Sequence, residues 1–324
     1  MIKKVGNQLL SRFLLLAVIL VSLLFYAIQP KFLNLNNIMD ILRTSSIVGI
    51  MALGGMYAMA IGEINFAVGG QAMVAACIVG KLLDGTMDSY LVAVLIAVIV
   101  SALSGVLMAY VVVDLKVPSF IATLGINTLL TGCARFISGG QAFTSSDWPE
   151  IYTFCQEYVL DVIPNPVIIF LILAVVGLIL TEQTRFGRYI FASGTNSTAC
   201  VQVGINVRRV KYLTFIISSV LAGMSGLVHT SVTATVTLTM GNDYLTPSLC
   251  AIVLGATYYK IGFYNVRGTI IASIMLILIQ NGVMSIGAQY YVKDIIQGAI
   301  LLVAVGVIAM TRKEGLPKVS FENG

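Results

Sequence analysis

Apolar runs alternate with short polar segments along the whole chain. A helix that crosses a bilayer needs about 20 predominantly apolar residues, and several runs reach or approach that length. The pattern therefore predicts an all-α polytopic membrane protein with about ten transmembrane helices. An arrangement with two of the short runs re-entrant is also compatible, so we expect about eight to ten spans. We place the runs at about 12–29, 45–61, 66–83, 91–113, 118 onward, 167–181, 212–229, 245–257, 270–286 and 295–310.

Composition indicates a single membrane domain over residues 1–324. The chain is 58% hydrophobic and 10% charged, whereas soluble domains are about 25% charged. Lys3 and Lys4 before the first apolar run imitate a signal peptide. No convincing small-residue cleavage site follows them, so we expect a retained first helix.

Positive charge indicates the orientation. Cytoplasmic segments of membrane proteins carry an excess of Lys and Arg, and placing both termini in the cytoplasm puts 14 of the 19 basic residues there. The formal charge of +5 does not indicate nucleic-acid binding, because the basic residues lie at helix ends rather than in one patch. The cytoplasmic basic residues are Lys3, Lys4, Arg12, Lys116, Arg185, Arg188, Arg208, Arg209, Lys211, Lys260, Arg267, Arg312, Lys313 and Lys318.

A basic loop over about 184–211 separates two apolar runs. It holds five basic residues and no acidic residue, and it therefore belongs on the cytoplasmic side. Asn196 is a favourable N-cap, and Gly204 is a favourable C-terminal stop. About two helical turns fit between them, so we expect a short cytosolic helix near 195–202.

Two glycine-rich segments interrupt the apolar pattern. The first contains Gly62 and Gly69 and carries Glu63 and Asn65 at apparent membrane depth. Irregular backbone at that depth is tolerated where it is buried in protein or lines a water-filled cavity, so we expect a broken helix along a transport path. Two roles stay open for Glu63, a functional intramembrane carboxylate or a residue that reaches the interface from a helix end.

The second glycine-rich segment follows the run at 245–257. It contains Gly255, Gly262 and Gly268 and predicts a second helix break. Residues 254–258 also echo residues 53–57, and transporters often carry broken helices at matching positions of internal repeats.

Four stretches of the chain resemble the permeases of ribose-type ABC importers, and the resemblance covers nearly the whole sequence. In the first glycine-rich stretch, Glu63 replaces a glycine of that family, Asn65 replaces an aspartate and Ala67 replaces a serine. The four stretches are 62–69, which is similar to G-G-I-D-L-S-V-G, 118–125, similar to P-x-F-I-x-T-L-G, 187–207, similar to the cytosolic coupling loop, and 255–269, similar to the second glycine-rich motif.

The resemblance implies a function and a set of partners. It implies the permease subunit of an importer for ribose or another simple sugar in the bacterial inner membrane. The implied partners are a second permease, identical or similar, a cytosolic ATPase and an extracytoplasmic substrate-binding protein. No cofactor, metal ion or nucleic acid is expected, and hydrolysis falls to the ATPase because the chain has no G-x-x-x-x-G-K-[ST] phosphate loop. The residues that the resemblance assigns to coupling are Arg188, Gly194, Asn196, Ala199 and Gly204.

An acidic segment over about 138–164 has no Lys or Arg and is expected to lie outside the cell. It contains Trp148 and is long enough to contact an extracytoplasmic partner, although a solvated acidic loop is an equal alternative. Ser138–Gln141 imitates an ATPase signature motif but lies on the side away from ATP. The alternation of hydroxyl and apolar residues over 230–239 predicts an extended outer connector.

A neutral sugar needs a polar path that binds it weakly. The candidate lining residues are Asn65, Phe66, Asn127, Gln280 and Asn281. For each polar member, an interhelical hydrogen bond is an alternative role.

Other functions also stay open. A permease for nucleosides, an autoinducer sugar or branched-chain amino acids would share the scaffold. A stand-alone secondary transporter would use paired intramembrane charges, for which Glu63 is the one fair candidate. A membrane enzyme would need clustered His, Asp or Glu, whereas His229 is the only histidine and is expected to make a local hydrogen bond. The five cysteines are scattered, so no disulfide is expected.

Overall fold

The computed structural model describes residues 2–84, 89–144, 152–159, 163–258 and 262–312. One π-helical turn extends α4 to Asp114, and another extends α6 to Gln183. The helices are α1 (Ile2–Ile28), α2 (Leu35–Ala60), α3 (Val68–Leu83), α4 (Tyr90–Ala109), α5 (Ser119–Ser138), α6 (Asn165–Leu178), α7 (Arg185–Thr195), α8 (Ser197–Gln202), α9 (Val207–Thr233), α10 (Met240–Gly255), α11 (Val266–Ser285) and α12 (Tyr290–Arg312).

The length and hydropathy of these helices confirm an all-α polytopic membrane fold. Within the described residues, seven helical segments are long and apolar enough to cross a membrane, and they contain α2, α4, α5, α6, α9, α11 and α12. The apolar part of α1 and the whole of α3 are shorter. Leucines such as Leu95, Leu103 and Leu302 are exposed on the outside of the bundle, as expected for a surface that faces lipid chains.

Helix α9 lies at the centre of the bundle and packs against α2, α3 and α4. Small residues allow this close packing. A Cβ atom added at Gly226 of α9 would lie 2.7 Å from the Ala72 carbonyl carbon of α3, and one added at Gly105 of α4 would lie 2.7 Å from Ser219 Oγ. The four-residue spacing of Ser101, Gly105 and Ala109 on α4, and of Ser218, Ala222 and Gly226 on α9, predicts these small-residue faces from the sequence, and the structure confirms both.

Helices α3 and α10 begin inside the bundle rather than at its ends. Val68, at the start of α3, shares an apolar cluster with Met51 of α2 and Ala222 of α9. Met51 lies nine residues before the end of α2, which is about 14 Å along the helix axis. The first turns of α3 and α10 meet, because a Cβ atom at Gly69 would lie 2.5 Å from the Gly241 carbonyl oxygen. The two short helices therefore start near the middle of the bundle.

The boundaries of α9 and α10 differ from the prediction. Helix α9 continues to Thr233 and α10 begins at Met240, where the sequence predicts an extended segment over 230–239 and a span that begins at about Leu245. The hydroxyl groups explain the difference, because those of Thr230 and Thr233 donate to carbonyl oxygens one turn earlier, at 2.9 and 3.0 Å. A helix can therefore accommodate these residues without exposing an unpaired polar group.

Extended backbone is confined in this region to a short segment. Thr235–Val236 pairs antiparallel with Phe143–Thr144, which follows α5. This pairing joins the two chain segments at one end of the bundle.

The acidic segment 138–164 is described in part. It contains a 3₁₀ helix, Tyr152–Gln156, and a strand pair between Tyr158–Val159 and Ile163–Pro164. Cys155 is buried, its backbone N–H donates to Ser231 Oγ of α9 at 3.4 Å, and burial raises the pKa of its thiol. Trp148 and the acidic residues Asp147, Glu150 and Asp161 of this segment lie outside the described residues.

Candidate functional site: the coupling end

Two short helices, α7 and α8, lie together at one end of the bundle, which we call the coupling end. Side chains cap both of them: Thr184 Oγ1 accepts the Gly187 N–H at 3.2 Å, and Asn196 Oδ1 accepts the Ala199 N–H at 2.9 Å. Gly204 has a φ of +81° just after α8, a conformation that glycine adopts without strain. The predicted cap and stop of the short helix are thus confirmed.

Helix α7 is an addition to the prediction, which describes one short helix in this loop. Its buried residues Gly187, Ile190 and Ser193 recur every three residues, which is a helical spacing. This spacing, together with the Thr184 cap, is the sequence signal that could have revealed the helix.

The exposed surface of α8 and the turn after it mixes polar residues such as Ser197, Thr198 and Gln202 with apolar ones. Val201 is 62% exposed and Val203 is 75% exposed, and Ala199 and Arg188 are also exposed. Two large exposed apolar side chains close together on a capped helix make this surface a candidate for binding another protein. We call the exposed surface around α8 and the turn after it, which includes Ala199, Val201 and Val203, the α8 face.

Gly194 does not belong to this face. A Cβ atom on Gly194 would collide with the Ala60 carbonyl oxygen at the end of α2, so this glycine packs inward. Gly194 therefore lets α7 approach the end of α2 closely, and its part in coupling stays a prediction.

The segment 61–67 between α2 and α3, which we call the α2–α3 break, is held by hydrogen bonds to two other helices. The Ile64 N–H donates to Ser119 Oγ of α5 at 3.2 Å. Asn65 Nδ2 donates to Ser218 Oγ of α9 at 2.8 Å, while Asn65 Oδ1 accepts the Ala67 N–H at 2.8 Å. Irregular backbone inside the bundle is stabilised in this way, because its polar groups need partners away from water.

Asn65 offers a direct test of whether this residue supports the backbone. Replacing Asn65 with leucine removes the donor to Ser218 and the acceptor for Ala67, and we expect a loss of about 1–3 kcal/mol in the free energy of unfolding. Replacing Asn65 with aspartate keeps an acceptor for Ala67 and for the Ser218 hydroxyl, so this control should stay closer to wild type. Thermal unfolding in detergent measures both variants, and equal stability of the two would contradict the structural role.

Glu63 pairs with a basic residue of the predicted cytoplasmic loop. Its carboxylate accepts a hydrogen bond from the Lys211 ammonium group of α9. The side chains are 16% and 23% exposed, respectively, and the Glu63 N–H donates to the Ala58 carbonyl oxygen at 3.0 Å. Glu63 therefore lies at the end of α2 with a cationic partner, which favours the helix-end alternative over a carboxylate deep in the membrane.

Two more ion pairs join helices at the coupling end. Arg208 of α9 donates to both carboxylate oxygens of Asp114 at the end of α4, at 2.8 and 3.0 Å, and the Tyr212 hydroxyl donates to the same carboxylate. Arg267 of α11 donates to Glu182 at the end of α6 at 2.7 Å. Within the described residues, every ion pair between different helices lies at this end.

The five candidate path residues fall into two separate groups. Asn65 and Phe66 lie in the α2–α3 break; Phe66 packs edge-on against Phe120 of α5, and Asn127 Oδ1 accepts the Gly70 N–H of α3 at 2.7 Å. Gln280 and Asn281 lie on α11, where Gln280 donates to Gln297 of α12 at 2.8 Å. The structure therefore does not bring all five together, and the first group surrounds the start of α3.

The predicted break glycines have two different roles. Gly62 and Gly262 have positive φ angles of +86° and +81° outside the helices, as a helix break requires. Gly69, Gly255 and Gly268 lie within helices instead and permit close contacts; a Cβ atom at Gly255 of α10 would lie 2.6 Å from the Gly268 carbonyl carbon of α11. These three glycines therefore lie in the end turns of α3, α10 and α11 beside the two breaks, rather than in the breaks themselves.

His229 also differs from its expected role. It is buried in the last turns of α9, its ring packs edge-on against Tyr244 of α10 at 5.1 Å, and its Nδ1 atom has no hydrogen-bond partner among the described residues. Aromatic packing, rather than the expected local hydrogen bond, accounts for its position.

Comparison with known proteins reveals the family. Residues 37–305 match the family described as branched-chain amino acid transport system / permease component. The chain belongs to this permease family. It is a multi-pass permease of the ABC-transporter type, located in the bacterial inner membrane.

The permease is similar to several named relatives over nearly its full length. It is 30% identical to the ribose import permease protein of Haemophilus influenzae, over 93% of this chain and 94% of the relative. It is 28% identical to the D-allose transport system permease protein of Escherichia coli, over 93% and 91%. It is 27% identical to the autoinducer 2 import system permease protein of an Enterobacter strain, over 90% of each chain.

Sequence reasoning missed three parts of the permease that position the site. Gly241 forms the crossing with Gly69, Gln71 Nε2 donates to Ser219 Oγ at 2.7 Å, and Ser119 holds the α2–α3 break. Each of these contacts joins residues that are far apart in the chain, and no local pattern identifies the partner.

Proposed function

We propose that the permease is the membrane subunit of an ABC importer that moves ribose or another simple sugar into the cell. The observation that carries this proposal is the α8 face, an exposed surface with two exposed valines on a capped helix at the coupling end, in a chain of this permease family. The ribose and allose permeases among its relatives support a sugar as the substrate.

The proposed assembly contains two permeases, identical or similar, with a cytosolic ATPase on each coupling end. An extracytoplasmic binding protein delivers the substrate to the opposite end, where the described parts of the segment 138–164 lie. In this arrangement α1–α6 and α9–α12 provide about ten spans, both termini are cytoplasmic and residues 1–324 form one permease domain. The permease itself is non-catalytic, since the ATPase hydrolyses ATP.

The coupling residues have different roles in docking. Ala199, with its neighbours Val201 and Val203, offers apolar contact, and Arg188 offers a positive charge near the same surface. Asn196 and Gly204 fix the start and end of α8. A rigid, capped helix can transmit a push from the ATPase because its ends do not unwind under load.

Alternating access follows from the two helices that begin inside the bundle. The start of α3 is held by Asn65 and Asn127, and its glycine crossing with α10 lets two helix ends meet near the middle of the bundle. Rigid-body rocking of helix groups around such a point exposes it first to one side and then to the other.

Transport in proteoliposomes tests the proposal. The permease is reconstituted with its ATPase and binding protein, and uptake of ribose, allose, autoinducer 2, a nucleoside and leucine is measured with and without ATP. We expect uptake of one or more of the sugars that requires ATP and both partners. Uptake that persists without any ATPase would contradict the proposal and favour a secondary transporter, while uptake of leucine or the nucleoside alone would contradict the sugar assignment.

A further inference from the structure

We infer that Glu63 and Lys211 act as a strut that passes motion of the coupling helices to the start of α3. This inference rests on the proposed function and names two positioning residues for it. The strut would couple the substrate path to ATP hydrolysis, rather than contact substrate or nucleotide.

First, Lys211 lies close to the coupling helices α7 and α8 along the chain. Helix α8 ends at Gln202 and α9 begins at Val207, where Asn206 Oδ1 accepts the Arg209 N–H at 3.0 Å. Lys211 therefore lies in the second turn of α9, one tight capped turn away from α8. A displacement of α8 moves the beginning of α9 and, with it, the Lys211 side chain.

The second step is the position of Glu63 in the α2–α3 break. Its backbone N–H donates to the Ala58 carbonyl oxygen at the end of α2. Its carboxylate accepts a hydrogen bond from the Lys211 ammonium group. Gly194 of α7 also packs against the Ala60 carbonyl group. The end of α2 thus contacts both α7 and α9, and Glu63 is its charged contact with α9.

The third step leads from Glu63 to the middle of the bundle. Four residues separate Glu63 from Val68, the first residue of α3. Those four residues are tied to α5 and α9 by the bonds of Ile64 and Asn65. The α2–α3 break is short and is hydrogen-bonded to other helices. A displacement of Glu63 therefore displaces the start of α3 and its contact with α10, which a long flexible loop would not do.

Burial distinguishes this pair from the Glu182–Arg267 pair at the coupling end. Glu63 and Lys211 are 16% and 23% exposed, whereas Glu182 and Arg267 are 49% and 61% exposed. Water and salt screen an exposed pair, so it contributes little. A pair shielded from water retains its attraction, and removal of one partner leaves the other charge without compensation. The Glu182–Arg267 pair therefore provides a control of the same charge at the same end.

The test measures the number of substrate molecules transported per ATP hydrolysed by the full complex in proteoliposomes. The single variants Glu63→Gln and Lys211→Met should lower this ratio on the order of threefold, while ATPase co-purification remains normal. The swapped double variant Glu63→Lys/Lys211→Glu should recover most of the ratio, because it restores an opposite-charge pair. The controls Glu182→Gln and Arg267→Gln should leave the ratio at the wild-type value.

A second measurement does not depend on uptake. Hydrogen–deuterium exchange of residues 61–67 is followed in the permease–ATPase complex with and without a non-hydrolysable ATP analogue. We expect nucleotide to change the exchange of this segment in wild type and not in Lys211→Met. An unchanged transport ratio in both single variants, or the same nucleotide response in Lys211→Met as in wild type, would overturn the strut.

Failure of the strut and failure of the proposed function give different results. A wild-type complex that imports sugar with ATP, and whose single variants keep the normal ratio, retains the function and loses the strut. A complex that hydrolyses ATP without any import loses the proposed function, and the exchange measurement still decides the strut. A permease that binds no ATPase would overturn both.

Discussion

Replacing Ala199 with tryptophan should abolish ATP-dependent uptake while the permease remains folded. Ala199 is exposed on the α8 face, next to Val201 and Val203, which are 62% and 75% exposed. An indole group there points away from the bundle and adds bulk to the surface on which we propose that the ATPase docks. Interface contacts at the centre of such a patch commonly cost 2 kcal/mol or more when disrupted, which is roughly a thirtyfold loss of affinity.

The experiment compares ATPase co-purification, uptake and thermal unfolding for Ala199→Trp and for the control Ala199→Ser. Serine changes the size of the exposed side chain little, so we expect near-normal uptake. Normal uptake by the tryptophan variant, with normal membrane levels, would show that the ATPase does not dock on the α8 face. Gly194 is unsuitable for this test, since any side chain there would disturb the contact between α7 and α2 inside the permease.

Local patterns in the sequence predict the membrane helices and the short helix α8, although they miss α7. The apolar runs correspond to membrane helices, and Asn196 and Gly204 bound α8 as expected from capping chemistry alone. Caps and apolar runs are encoded within a few neighbouring residues. For this reason the all-α membrane fold and the short helix α8 can both be predicted without knowing how the helices pack.

Contacts between distant segments could not be predicted in the same way. The sequence identifies Gly69 as unusual, but its partner is Gly241, more than half of the chain away. The sequence predicts a helix break at Gly69, whereas in the structure Gly69 is the point at which α3 contacts α10. Asn127 was selected as a polar residue on a helix, and only packing reveals that it holds the Gly70 N–H.

The pair of Glu63 and Lys211 illustrates the same limit at the candidate site. In the sequence, Glu63 is an unusual acidic residue in a glycine-rich motif, and Lys211 belongs to a separate basic loop. The structure joins them across the ends of α2 and α9. Glu63 replaces a glycine of the resembled motif, and its partner Lys211 lies far away in the chain.

Replacing Gly226 with alanine should strongly destabilise the permease. The added Cβ atom would lie 2.7 and 2.9 Å from the carbonyl carbon and Cα atom of Ala72, and it would overlap the Ala72 carbonyl oxygen. These are backbone atoms of α3, so no side chain can rotate to make room. Overpacking of a well-packed core costs about 1–3 kcal/mol, and we expect the upper part of that range, because α9 also packs against α2 and α4.

The matched control for Gly226→Ala is Gly125→Ala on α5. A Cβ atom at Gly125 meets no atom of the described residues within 4 Å, and alanine favours a helix over glycine by up to about 1 kcal/mol. Thermal unfolding of the purified permease should therefore shift down for Gly226→Ala and stay equal or rise for Gly125→Ala. If the two variants unfolded at the same temperature, the close crossing of α3 and α9 would not exist in the membrane protein. The glycine on α9 would then be an ordinary helix residue, and the small-residue face predicted from the sequence would lose its physical basis.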